Sequence, residues 1–242
     1  MGRIRYLCLL AFASLFIFAT SHLFGSTFRV SPMKIEFSGH RATAILQIAN
    51  EGDLPVTIQI EVLGWVQQGL TESHPETDDI FFSPPIVKIA PHGIQLVRVA
   101  LRHNEHLGVE KSDRLYIEEV PGTEKSTTTG IHTVLRIGIP IYRKPANPAA
   151  ASRLTWAANY TDDGALRITA SNSGEVHTVI GSIAVSANGG TLVVEDSAQC
   201  VLAGGEREWI LRDQHLQHAD QLTLDAVTEG GKLHVEITPQ SK

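Results

Sequence analysis

The chain has 242 residues, 43% of them hydrophobic and 19% charged, with a formal charge of −6. That balance is globular and excludes a disordered or collagen-like chain, and a mildly acidic chain is a poor general binder of nucleic acid. Two cysteines, Cys8 and Cys200, exclude a disulfide framework and a cysteine-rich zinc site.

Residues 1–21 read as a signal peptide. Arg3 and Arg5 form a positive n-region, an apolar run follows from Leu7 to Phe18, and Ala19-Thr20-Ser21 supplies the small residues of a cleavage site. A spanning helix needs about 20 apolar residues, so no stable membrane insertion is expected after cleavage. Cys200 is then a lone thiol, read as a small buried hydrophobe.

From Phe28 onward the pattern is that of strands. Residues 43–48 and 56–62 alternate apolar and polar side chains, the period of a half-buried strand. Asn50-Glu51-Gly52-Asp53 is the turn between them. Further strands are expected at 86–89, 95–101, 114–119 and 133–142. The stretch from Lys144 to Ser152 holds two prolines and no large apolar residue, as a linker does. Beyond it strands are expected at 153–160, 165–170, 176–185, 191–195, 207–211, 221–227 and 232–237. Asp162-Asp163-Gly164, Asn188-Gly189-Gly190 and Glu229-Gly230-Gly231 are their tight turns. The chain is therefore all-β. Its expected plan is a first domain over 27–145, a linker over 146–152 and a second β-sandwich over 153–242.

Catalytic signals are missing. His103/His106 and His215/His218 lack the intervening Glu of a metalloprotease helix and read as surface histidines. Asp78-Asp79 and Asp162-Asp163 sit in turns, and no nucleophile elbow or phosphate loop occurs. No enzyme activity, metal or cofactor is expected. The most informative segment is 130–142, where Ile131, Thr133, Leu135, Ile137, Ile139 and Ile141 share one face of a strand. This is either an ordinary core strand or an exposed edge strand that offers its apolar face to a partner, and an exposed edge of this kind is an aggregation hazard unless a partner pairs with it.

Several motifs run through the first domain: Val30-Ser31-Pro32 with Phe37, Ile48-Ala49-Asn50, Gly64-Trp65, Ser83-Pro84-Pro85-Ile86, Gln95-Leu96-Val97-Arg98-Val99, the stretch Glu110 to Pro121, and Ile139-Pro140-Ile141-Tyr142 with Pro145. In these the chain resembles the PapD-like periplasmic chaperones of the chaperone–usher pathway, which assemble pili and fimbriae. The Gly-Trp and Pro-Pro details are most similar to the archaic or alternative branch.

The resemblance implies two immunoglobulin-like β-sandwich domains in an L-shaped arrangement, in the periplasm of a Gram-negative bacterium. It implies pilin subunits and an outer-membrane usher as partners, and donor-strand complementation as the mechanism. Ile131, Thr133, Leu135 and Ile137 would fill the incomplete subunit's core. The family's basic anchor for the subunit's C-terminal carboxylate aligns with Lys34 and Pro140, so Lys34 would serve alone, or Arg136 or Arg98 would substitute. Glu110, Arg143, Lys144 and Glu229 would form an interdomain charge cluster. The alternative is an exported two-domain structural or adhesive fimbrial component.

Overall fold

The computed structural model describes residues 28–39, 41–103, 105–121, 134–194 and 198–240. Among the described residues, eleven strands precede the linker: β1 (Phe28–Ser31), β2 (Ile35–Phe37), β3 (Thr43–Asn50), β4 (Val56–Gly64), β5 (Val66–Gln68), β6 (Thr71–Ser73), β7 (Ile80–Ser83), β8 (Ile86–Ile89), β9 (Ile94–Leu101), β10 (Lys111–Glu119) and β11 (Arg136–Arg143). They form two sheets ordered β1-β3-β9-β7 and β2-β11-β10-β4-β8, with β5–β6 as a separate hairpin. Period-2 alternation turns one face of each sheet inward. Phe37, Leu46, Ile58, Leu115, Ile117, Ile139 and Ile141 meet there in one core.

The second unit holds β12 (Leu154–Tyr160), β13 (Leu166–Asn172), β14 (Thr178–Ala187), β15 (Gly190–Val194), β16 (Gln199–Val201), β17 (Glu206–Leu211), β18 (Leu222–Thr228) and β19 (Gly231–Ile237). Its sheets are β12-β13-β17 and β15-β14-β18-β19, with β16 also on β14. Leu166, Ile168, Ile183, Trp209 and Leu224 lie in its core. The protein is all-β and built of two sandwiches, as its alternation predicts. The expected turn at Asn188-Gly189 has positive φ at both residues, 49° and 78°, the conformation a tight hairpin requires.

Both units use the same turn device. Asn50 ends β3, and its side-chain amide donates to the carbonyls of Leu54, Ile89 and Ala90 while its Oδ1 accepts from Gly52 N. Asn172 ends β13 and donates to Val176, Val201 and Leu202, and its Oδ1 accepts from Arg153 N and Gly174 N. Both asparagines are buried. Gly174 is obligatory beside it, because a Cβ there would collide with the Ala151 carbonyl and the Arg153 amide. Replacing Asn172 with alanine strands several buried backbone groups, each worth about 1–3 kcal/mol when unpaired and dry. We expect Asn172→Ala to cost about 3 kcal/mol in urea unfolding, with a lowered midpoint and an unchanged slope.

Candidate functional site: an open sheet edge and the joint beside it

β11 is paired with antiparallel β10 along its whole length, from Lys111↔Arg143 to Glu118↔Arg136. On its other side it meets parallel β2 only at Ile141, Tyr142 and Arg143. Among the described residues nothing pairs with the outer edge of Arg136–Pro140. Glu119 N donates to Leu135 O at 3.1 Å, so the odd-numbered residues of this strand turn their backbone groups toward β10. The even-numbered ones face outward. Arg136 and Gly138 therefore offer an N–H and a carbonyl each, while Pro140 has no N–H to offer and sits where the ladder to β2 begins. Proline fits here because its missing N–H falls on the unpaired side.

The side chains alternate too. Ile139 and Ile141 are fully buried in the sandwich core, Ile137 packs half-buried against it, and Leu135 is 36% exposed. The apolar row thus belongs to this protein's own core at its C-terminal end and emerges at Leu135. Ile131 and Thr133 lie outside the described residues.

The even face leads to the second unit. Tyr142 projects from it, its ring stacked on His177 at 3.6 Å, and packs with Trp65 and Leu202. The Cys200 thiol, 3.5 Å from the Tyr142 hydroxyl, is pushed up to about 11 by burial. The β5–β6 hairpin closes this side. Gln67 donates to Cys200 O and accepts from Leu202 N, Glu206 N donates to Gly69 O, and Arg207 pairs with Glu72 at 2.7 Å.

A string of charges closes the other side. Lys144 meets Glu36 at 2.9 Å, Glu36 meets Lys34 at 3.1 Å, and Lys34 meets Glu229 of the second unit at 3.0 Å. Glu229 lies 3.8 Å from His177 Nε2, and His177 donates both its backbone N–H (3.0 Å) and Nδ1 (2.6 Å) to buried Glu110 Oε1. Glu229 raises the Lys34 pKa above its usual value. Burial works against Glu36, yet hydrogen bonds from Lys144 and Lys34 hold its carboxyl below the usual 4.5.

The structure brings Glu110, Lys144 and Glu229 into this string, through Lys34, Glu36 and His177. Arg143 is elsewhere: it is buried on the core side and pairs with Asp79 (2.7 Å) and Asp113 (3.1 Å). Burial pushes the Asp113 carboxyl up, and Arg143 pulls it the other way. Lys34 and Pro140 line one cleft of about 470 Å³ between the units, with Met33, Tyr142, Val179 and Val227. Arg136 lies over the Tyr116 ring at 4.1 Å, beside Glu61 and Glu118. Arg98 is exposed on β9 of the opposite sheet. Sequence reasoning missed Glu36, His177 and the β5–β6 clasp.

Residues 27–149 match the family described as "Pili and flagellar-assembly chaperone, PapD N-terminal domain". The chain belongs to that family. No curated protein matches the sequence. Solved PapD-like structures share its fold at low identity. A chain of the CsuC–CsuE chaperone–tip adhesion subunit complex from archaic chaperone–usher Csu pili of Acinetobacter baumannii is 20% identical over 89% of this chain and 100% of that one, with a TM-score of 0.67. The Pseudomonas aeruginosa CupB2 chaperone is 16% identical over 86% and 98%, with a TM-score of 0.55. A chain of the Salmonella enterica SafA pilin–SafB chaperone complex is 12% identical over 87% and 96%, with a TM-score of 0.57.

In this PapD-like chain, Glu36 gives the joint a pH signature. A carboxyl whose folded pKa is depressed stabilises the fold above its unfolded pKa, and that stability is lost as the pH falls through the folded value. At pH 7 we expect Glu36→Gln to melt below the wild type. The gap should close as the pH drops below about 4.5, followed by scanning calorimetry across the acid range.

Proposed function

We propose that the protein is a non-catalytic periplasmic chaperone for pilus or fimbrial subunits. It lends each subunit the exposed end of β11 and the chain before it, and passes the subunit to an outer-membrane usher. The observation that carries this reading is the half-paired β11: its outer backbone groups are open where its apolar row leaves the core. An incomplete sandwich that lacks an edge strand needs both things, ladder partners and apolar side chains to fill its groove. The pilin and tip-subunit complexes named above support the same partner class.

In this reading Ile131, Thr133, Leu135 and Ile137 enter the subunit, and residues 27–145 form the subunit-binding domain. Lys34, where β2 closes the edge, receives the subunit's terminal carboxylate. The charges of Glu110, Lys144 and Glu229 hold the joint. Burial of one large aliphatic side chain contributes about 1.5–3 kcal/mol, or about tenfold or more in affinity.

The test is co-purification from the periplasm with candidate pilin subunits. Leu135→Glu should fold normally, because this side chain is already part exposed, and should lose capture by about tenfold or more. Equal capture by the folded variant, or none by the wild type, would remove donor-strand chaperoning from consideration.

A further inference from the structure

The open edge of β11 has a blind end, and the cation at that end is already engaged. β2 runs parallel to β11 with Ile35 opposite Ile141. A strand paired along Arg136–Pro140 is therefore stopped by β2, at Lys34. If it runs parallel to β11 it arrives with its C-terminus, and its carboxylate meets the Lys34 ammonium. If it runs antiparallel it brings an amine or a bare peptide instead, which an ammonium repels or ignores. Lys34 is held by two carboxylates of different standing. Glu36 is its neighbour on β2 and is shared with Lys144. Glu229 reaches it from the β18–β19 turn of the second unit, across the cleft that Lys34 and Pro140 line, and its side chain is half exposed.

We propose that Glu229 is a built-in competitor for the end of the bound chain. It holds one of the three N–H donors of the Lys34 ammonium, and a terminal carboxylate arriving along the edge competes with it for that charge. This rests on the readings of the edge and of Lys34 given above and adds the competitor to them. A chain that ends at Lys34 in a carboxylate gains the ammonium; a chain that is amidated there, or runs on past it, leaves Glu229 in place. Glu229 belongs to the second unit, so the same exchange removes one of the ion pairs that cross the cleft.

The experiment uses a synthetic peptide of alternating valine and threonine, made with a free C-terminal carboxylate and again as the amide. Binding to the full chain is measured by calorimetry, with the Gly138 amide resonance reporting on the edge. Wild type, Glu229→Gln and Lys34→Gln are compared after circular dichroism confirms the fold. Glu229 lies half exposed on a turn, so its substitution leaves both cores intact.

Removing the competitor should raise the acid-to-amide preference by about two- to fivefold, the range of an exposed ion pair. The gain should shrink at high salt, and Lys34→Gln should show no preference. An acid-to-amide ratio equal in wild type and Glu229→Gln would overturn the competitor role while leaving the edge reading intact. Absence of binding by both peptides, with no shift at Gly138 in any variant, would overturn the edge reading and this inference with it.

Discussion

One strand, paired along its full length on one side and, among the described residues, along three residues on the other, organises this molecule. Because β11 alternates strictly, each of its residues has one assignment. Odd positions bond to β10 and send Ile137, Ile139 and Ile141 into the core; even positions face the open edge and carry the outer surface. The residue types follow. Pro140 is tolerable only on the unpaired side. Gly138 is small because a Cβ would lie 3.1 Å from Arg114 Cδ and 3.3 Å from the Tyr116 ring. Arg114 in turn lies 3.8 Å over Trp65, and Trp65 and Tyr142 carry the contact to the second unit.

The two sides of the joint differ in kind. On the clasp side most contacts are neutral and partly made by backbone: the Gln67 amide acts as a short stretch of strand against Cys200 and Leu202. Neutral hydrogen bonds of this sort are short-ranged and geometric, so they fix a position. On the other side the contacts are ionic, from half-exposed Lys34, Glu36 and Lys144 inward to buried Glu110. The exposed members are screened by salt and contribute little stability each. Their ordering matters more, since Lys34 lies between two carboxylates, Glu36 and Glu229, and the half-exposed Glu229 can exchange for another anion.

Much of this was legible in the sequence where periodicity is long. β3, β4, β9, β10 and most of the second unit follow alternating runs, and the turns follow Gly, Asn and Asp. β1, β2, β5, β6, β7 and β16 have three or four residues each, too few for a period to show. The resemblance supplied the charge cluster, and Arg143 entered it only as the neighbour of Lys144, where adjacency misled. Arg143 shares parity with Ile139 and Ile141, so it points into the sandwich and finds Asp113, which shares parity with Leu115 and Ile117. Lys144 has the opposite parity and reaches the joint. Parity was available in the sequence and would have separated them. His177 carried no signal: its partner Glu110 is 67 residues away, and only the closed joint brings them together.

Glu110 and His177 show why the joint and the edge are one structure. A carboxylate this deeply buried is tolerated only with donors, and His177 supplies two to a single oxygen. Removing one partner of such a pair leaves a dry charge, whereas keeping both adds little stability over apolar packing. What the pair provides is geometry. It pins the start of β14, whose neighbour β18 runs into the turn that bears Glu229. Glu229 is thereby set against Lys34, which immediately precedes β2, the strand that closes the edge of β11. The buried pair that holds the second unit in place also sets the charge at the point where an added strand must stop.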